Sequence, residues 1–325
     1  MSISGINCFQ FLGLPEDHRT HPVQLVLHRE DTPASKLASF PTWGQVKRDG
    51  VFCMLIVLQG AASGIFGRTG KPLMNTFELA QKLAIGLQAG VYFGELQTMC
   101  VASLEELSGT INPNRVADLD WHQQQIKDGL YIDFFDMLTI SAFIEGKTHV
   151  TYLKRHAALV RRMQEASGHL CKVGLSNVLD LTELHSEDEV QAFAQAHIDA
   201  GREGAVYKYD ADYEAGHKGW RQTKIVRGVS FDLTCIGWEE GKGKYAEKVA
   251  NLIFRWKDGK TIKAMLGKGW THDLAAQMYQ HIKTGGDLMP IGRIFEVTAL
   301  QGSSKGKLRL VKCGEMRHDK EQADY

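Results

Sequence analysis

Apolar and polar positions follow two different rhythms along this chain. Over the first two thirds, short apolar runs alternate with segments of helical spacing. After Arg227-Gly228 the apolar runs crowd together. Residues 1–40 carry little periodicity beyond a short strand at 25–27, and 33–41 reads as a loop. The unbroken run 51–58 follows Gln45-Val46-Lys47-Arg48-Asp49-Gly50, which predicts a buried strand with Lys47 at the mouth of the turn that feeds it. Residues 63–71 predict a strand closing on a glycine turn, and 76–89 a helix with Thr76 as its N-cap, running into a strand at 90–96. Short helices follow at 104–107 and 121–127, then an aromatic strand at 130–138. A basic helix is expected over 147–166, and a second over 186–200 opened by a capping box of Ser186 and Glu189. Strands at 201–208 and 219–226 complete this part.

Beyond Arg227-Gly228 the pattern predicts strands at 231–237, 250–256, 261–266, 292–300 and 307–312, with one helix at 271–283. Asp258-Gly259 marks a hairpin between the second and third of these. Such a set suits a small Greek-key barrel of the oligonucleotide-binding (OB) type. The expected class is α+β: a first domain over 1–228 with mixed and antiparallel sheets, followed by an all-β OB-fold barrel over 229–325.

Composition narrows the possibilities. With 43% hydrophobic and 23% charged residues the chain is a folded globular protein. No apolar run approaches the ~20 residues of a bilayer span, and MSISGINCFQ lacks a basic stretch followed by an apolar one, so no membrane role and a cytoplasmic location are expected. Six cysteines lie far apart without a Cys-x-x-Cys pair, which argues against a zinc ribbon or a disulfide framework. His18 and His21 sit three apart, but Pro22 argues against a helical metal pair. The formal charge is zero, yet residues 229–325 hold sixteen basic against twelve acidic residues, a hint of a basic face.

The glycine turn around Gly70-Lys71 is not a phosphate-binding P-loop, because Ile65 stands where its first glycine belongs and Pro72 where Ser or Thr belongs. An ordered series carries more weight: Lys47-Arg48-Asp49-Gly50, Arg68-Thr69-Gly70, Gly94-Glu95-Leu96, Phe134-Phe135-Asp136, Glu203-Gly204-Ala205-Val206-Tyr207-Lys208, Trp220 to Lys224, and Arg317-His318-Asp319-Lys320. From about residue 44 to the end, this series resembles the motifs of covalent nucleotidyltransferases, and specifically the compact phage-type ATP-dependent DNA ligases. That resemblance implies a nucleotidyltransferase (adenylation) domain followed by an OB-fold domain, acting as a monomer on nicked double-stranded DNA in the cytoplasm of a bacterium or phage-infected cell.

The chemistry asks for these residue types. A phosphoramidate-forming enzyme needs an amine that can be neutral at working pH, which lysine becomes when burial or nearby cations lower its pKa. By resemblance Lys47, in the turn with Asp49, attacks the α-phosphate of ATP and carries AMP, while Lys224 neutralises charge building on phosphorus. Glu95 resembles the acid that holds the ribose, Phe135 the aromatic stacked on adenine, and Gln45 stands at an adenine contact. Glu203, with Glu95, resembles the carboxylate set for Mg2+, for which Mn2+ could substitute. Arg68 resembles the residue that receives the nick 5′-phosphate, and Arg317 and Lys320 the tail motif that orients pyrophosphate. Candidate DNA contacts are Arg68, then Lys154, Arg155, Arg161 and Arg162 on the basic helix, and Lys242, Lys244, Lys305 and Lys307 in barrel loops. The basic faces of both domains are expected to close around the nick.

Three positions depart from the family: Phe52 where it usually has Arg, Gln45 where it has an acid, and Gln222 where it has Lys. Arg48, Arg221 and Lys218 are the candidates to replace the missing charges. The rival readings are an mRNA-capping type guanylyltransferase, disfavoured by Glu203-Gly204 where that group resembles Asp-Gly, and an RNA ligase, disfavoured by the barrel and its tail motif.

Overall fold

The computed structural model describes residues 5–37, 40–58, 63–167, 174–267, 269–300 and 308–325. The chain divides into two compact units, Met1–Val226 and Arg227–Tyr325.

The first unit contains two five-stranded sheets. One runs in the order Leu25–His28, Lys218–Val226, Gly204–Lys208, Thr42–Lys47, Thr182–Leu184, with only the first pair parallel. The other runs Ser63–Phe66, Val51–Val57, Gly90–Thr98, Leu130–Leu138, Ser176–Val178, with only the last pair parallel. Strand Val51–Val57 is continuously apolar because both its faces are covered. Cys53, Leu55 and Val57 face one buried cluster with Leu83, Leu107 and Leu159, whereas Met54 and Ile56 face another with Phe66, Phe93 and Phe143. Each fully buried side chain of this kind contributes about 2 kcal/mol.

Asp49-Gly50 does not close a hairpin. It passes the chain from one sheet to the other, since Thr42–Lys47 pairs with Gly204–Lys208 and Val51–Val57 pairs with Gly90–Thr98. Gly50 is required by close approach, because a Cβ there would run into the Gln97 amide and the Leu96 carbonyl oxygen.

Several expected elements differ in detail. The loop at 33–41 contains one helical turn, Ala34–Leu37. The helix expected over 76–89 is Phe77–Ala84, and the Thr76 hydroxyl donates to the Leu73 carbonyl instead of capping. The basic helix is Tyr152–Ser167, because Lys147–Thr148 is drawn into a two-stranded ladder with Tyr213–Glu214. Helix Ile140–Glu145, unforeseen in the sequence, is closed by Gly146 in the left-handed region. Ser186 caps Glu187–Asp199 by accepting from the Glu189 amide, but the Glu189 carboxylate takes the His185 amide, so only half of the capping box forms.

The second unit is a closed barrel in the order Gly228–Glu240, Val249–Arg255, Thr261–Leu266, Arg309–Met316, Ile294–Leu300, with helix His272–Thr284 packed on its core through Met278 and Tyr279. The mixed sheets followed by a barrel give the α+β class expected from the sequence.

Candidate active site

Neighbouring strands of the first sheet bring the charged groups together. Lys47 lies opposite Gly204, and Lys224 lies opposite Val206 across the same central strand. Glu203, just before that strand, reaches back to Lys47, Nζ to Oε2 2.6 Å. The neighbouring strand requires glycine at 204: its φ is 140°, and a Cβ would collide with the Ile225 carbonyl oxygen. Burial and the neighbouring Lys47 charge lower the pKa of Lys224.

The second sheet supplies the opposite wall. Glu95 sits across the ladder from Phe52. Burial pushes its carboxyl up to about 7, against the pull of Lys47 and Arg68. One pocket at the seam of the two sheets is lined by Gln45, Lys47, Arg68, Glu95 and Phe135. Glu203 and Lys224 join this group through Lys47, and Asp49 stands exposed in the turn.

Several lining residues have no role assigned to them by the motif series. Lys208 is 4% exposed, with Nζ 4.3 Å from the ring centroid of Phe135 and 4.4 Å from that of Tyr152. Burial lowers its pKa to about 7, opposed by Asp136 and aided by Arg155. The available signal was the period of two: Ala205 and Tyr207 pack into the core, which puts Val206 and Lys208 on the pocket side. Residues Val23 to Val26, which carried no recognisable motif, also line the pocket.

Gln45 is 2% exposed; its Oε1 accepts from the Tyr152 hydroxyl at 3.1 Å and its Nε2 donates to the Leu179 carbonyl at 3.1 Å. A carboxylate could not make the second bond, so a neutral amide suits this position.

Residues 240–317 match the family model described as DNA ligase OB-like domain. A stretch of 100 residues is 34% identical to a "Probable DNA ligase" of Anaeromyxobacter sp. (strain K), covering 29% of this chain and 20% of that protein. The match therefore spans about a fifth of the curated relative. Among solved structures, the protein named Pmar-Lig_PreS3 aligns over 95% of this chain and 70% of its own, with TM-score 0.70 and 17% identity. The ATP-dependent DNA ligase from bacteriophage T7, in complex with ATP, aligns over 93% of this chain and all of its own, with TM-score 0.55 and 16% identity. The fold is that of the ATP-dependent DNA ligases.

On this ligase fold two of the three candidates for the missing charges, Arg48 and Arg221, are already engaged. Arg48 lies 2.9 Å from Asp133, a charge pair too poorly aligned to count as a hydrogen bond. Arg221 pairs with Asp212 and Glu214, each at 3.0 Å. Lys218 is exposed. Gln222 lines the pocket and donates to the Gln24 carbonyl at 3.3 Å.

The DNA-facing candidates divide. Arg155 is 6% exposed and holds Asp136 with two bonds of 2.9 and 3.0 Å, so it braces the Phe135 strand and offers nothing to a phosphate. Arg162 donates to the Ala89 carbonyl and the Tyr92 hydroxyl, whereas Lys154 and Arg161 are exposed. Lys242 and Lys244 are exposed on the barrel, and Lys305 and Lys307 fall outside the described residues. In the barrel tail, Arg317 bridges Asp319 at 2.8 Å and Asp232 at 3.0 Å, and Lys320 lies 3.4 Å from Asp232. Asp232, which the motif series does not include, is the hub of that tail.

Proposed function

We propose that this chain is an ATP-dependent DNA ligase that seals nicks between a 5′-phosphate and a 3′-hydroxyl in duplex DNA. The observation that carries the reading is the 2.6 Å pairing of Lys47 with Glu203, with Lys224 across the same strand, beside a pocket walled by Glu95, Phe135 and Arg68. Adenine stacks on Phe135, and Lys208, whose ammonium touches two ring faces and opens on the pocket, donates to an acceptor on the base edge. Glu95 takes the ribose.

Lys47 Nζ, once it has given up its proton, attacks the α-phosphorus of ATP; the bond to the β-phosphate oxygen breaks and pyrophosphate leaves. Lys224 neutralises the charge on the α-phosphate oxygens. AMP passes from Lys47 to the nick 5′-phosphate, held by the Arg68 guanidinium, and the 3′-hydroxyl then displaces AMP to form the phosphodiester. Arg317 and Lys320 orient the leaving pyrophosphate.

Among the described residues no three His, Cys, Asp or Glu side chains gather into a metal cage. Two carboxylates, Glu95 and Glu203, fit Mg2+ nevertheless, since it is commonly held by one or two carboxylates with phosphate oxygens and water. When bound, Mg2+ or Mn2+ supplies charge neutralisation at the phosphates.

The test is sealing of an end-labelled nicked duplex by the full chain with ATP, GTP or NAD. The reading expects a joined strand with ATP and none with the others. A covalent protein adduct formed from α-labelled GTP, without strand joining, would instead support a capping-type guanylyltransferase.

A further inference from the structure

Phe52 stands where the resemblance leads one to expect arginine, and its ring is not idle. The Arg68 guanidinium carbon lies 5.3 Å from the Phe52 ring centroid. That ring is in turn buttressed by Phe93 and Phe135, at 6.4 and 6.2 Å between centroids. Arg68 is exposed, and among the described residues no hydrogen bond or ion pair fixes its guanidinium. Both side chains line the pocket that holds Lys47 and Glu95.

The physical consequence follows from how a guanidinium is held. A carboxylate partner would occupy two of its N–H donors and cancel its charge, whereas an aromatic face holds the cation and leaves every donor open. A ring in place of a second arginine also removes a like charge that would push Arg68 away. We propose that Phe52 is a positioning residue that carries Arg68 on its ring and presents the open guanidinium fork to the nick 5′-phosphate. The proposal rests on the nick-sealing reading above. It makes the phosphate preference at this edge run through Arg68 alone, with Phe52 setting where that fork stands.

Two measurements on the full chain separate the proposal from the reading beneath it. In the first, the AMP-charged protein with metal chelated is titrated with nicked duplex bearing either a 5′-phosphate or a 5′-hydroxyl, and the ratio of the two affinities is taken. Arg68→Ala should abolish the preference. Phe52→Leu should lower it roughly threefold, the scale of an exposed cation–π contact, and Phe52→Tyr should restore it. Phe52→Leu should add nothing in an Arg68→Ala background. In the second, the Arg68 Nε–H proton resonance, shifted by the ring current of Phe52, should return to its ordinary position in Phe52→Leu and stay displaced in Phe52→Tyr. A resonance that ignores Phe52, or a Phe52→Leu loss that persists without Arg68, overturns the positioning role. A resonance that follows Phe52 beside a phosphate preference untouched by Arg68→Ala overturns the nick role of Arg68, and with it the purpose proposed for Phe52.

Discussion

At the scale of single residues, the pocket combines groups whose ionisation is set by burial. Lys208 shows this most clearly. Its folded-state pKa of about 7 lies below its ordinary 10.5 because burial disfavours the ammonium. Between those values the unfolded chain binds more protons than the folded one, so this group makes stability rise with pH. Lys208→Met should therefore stabilise the unliganded chain by on the order of 5 kcal/mol below pH 7, with the gain fading as pH approaches 10.5. Urea unfolding at pH 6, 8 and 10 measures it, and a gain that does not change with pH contradicts the assignment. The same variant should weaken ATP binding, because the base edge loses its donor. Stability and ligand affinity thus move in opposite directions at one residue, as expected where a buried charge is kept for binding.

Among elements, the decisive arrangement is the central strand Gly204–Lys208 between the strands of Lys47 and Lys224. Gly204→Ala forces a Cβ against the Ile225 carbonyl oxygen at a φ that other residues avoid; a loss of about 2–3 kcal/mol is expected. Denaturant unfolding reads that loss, and a value within 0.5 kcal/mol of wild type, inside the scatter of surface substitutions, would remove the packing argument. In the barrel tail, a truncation after Lys312 would cut strand Arg309–Met316 in half, so the point variant is the cleaner probe. Arg317→Ala should slow self-adenylylation roughly 10²-fold while sealing of a pre-adenylylated nick continues; equal slowing of both steps contradicts the tail's role. Much of this level was legible in the sequence. Strand Val51–Val57 and the barrel hairpin at Asp258-Gly259 could be read from pattern and spacing, and the ordered motifs around Lys47, Glu95, Glu203 and Lys224 from their resemblance to the covalent nucleotidyltransferases. What could not be read depended on partners distant in the chain. Lys147–Thr148 left its helix for a ladder with Tyr213–Glu214, Arg155 turned inward to Asp136, and Phe52 found Arg68. Local propensity carries no information about such partners.

For the molecule as a whole, zero formal charge and a polyanionic substrate are compatible if particular basic faces meet the phosphates. Lys154 and Arg161 on one unit, and Lys242 and Lys244 on the other, are exposed. With roughly six phosphates neutralised, nick affinity should fall by about 10³ between 50 and 200 mM salt. A flat response in a filter-binding titration would mean that these faces do not engage DNA. The central claim is narrower, namely that ATP charges one lysine before DNA is involved, and it is tested without DNA. The full chain is incubated with α-labelled ATP and divalent metal, resolved on a denaturing gel, and the adduct mapped by peptide mass spectrometry. The account predicts a single adenylylated residue, Lys47, with labelling lost in both Lys47→Ala and Lys47→Arg, since arginine offers no neutral amine. Label retained on Lys47→Ala and mapped to another lysine would contradict it.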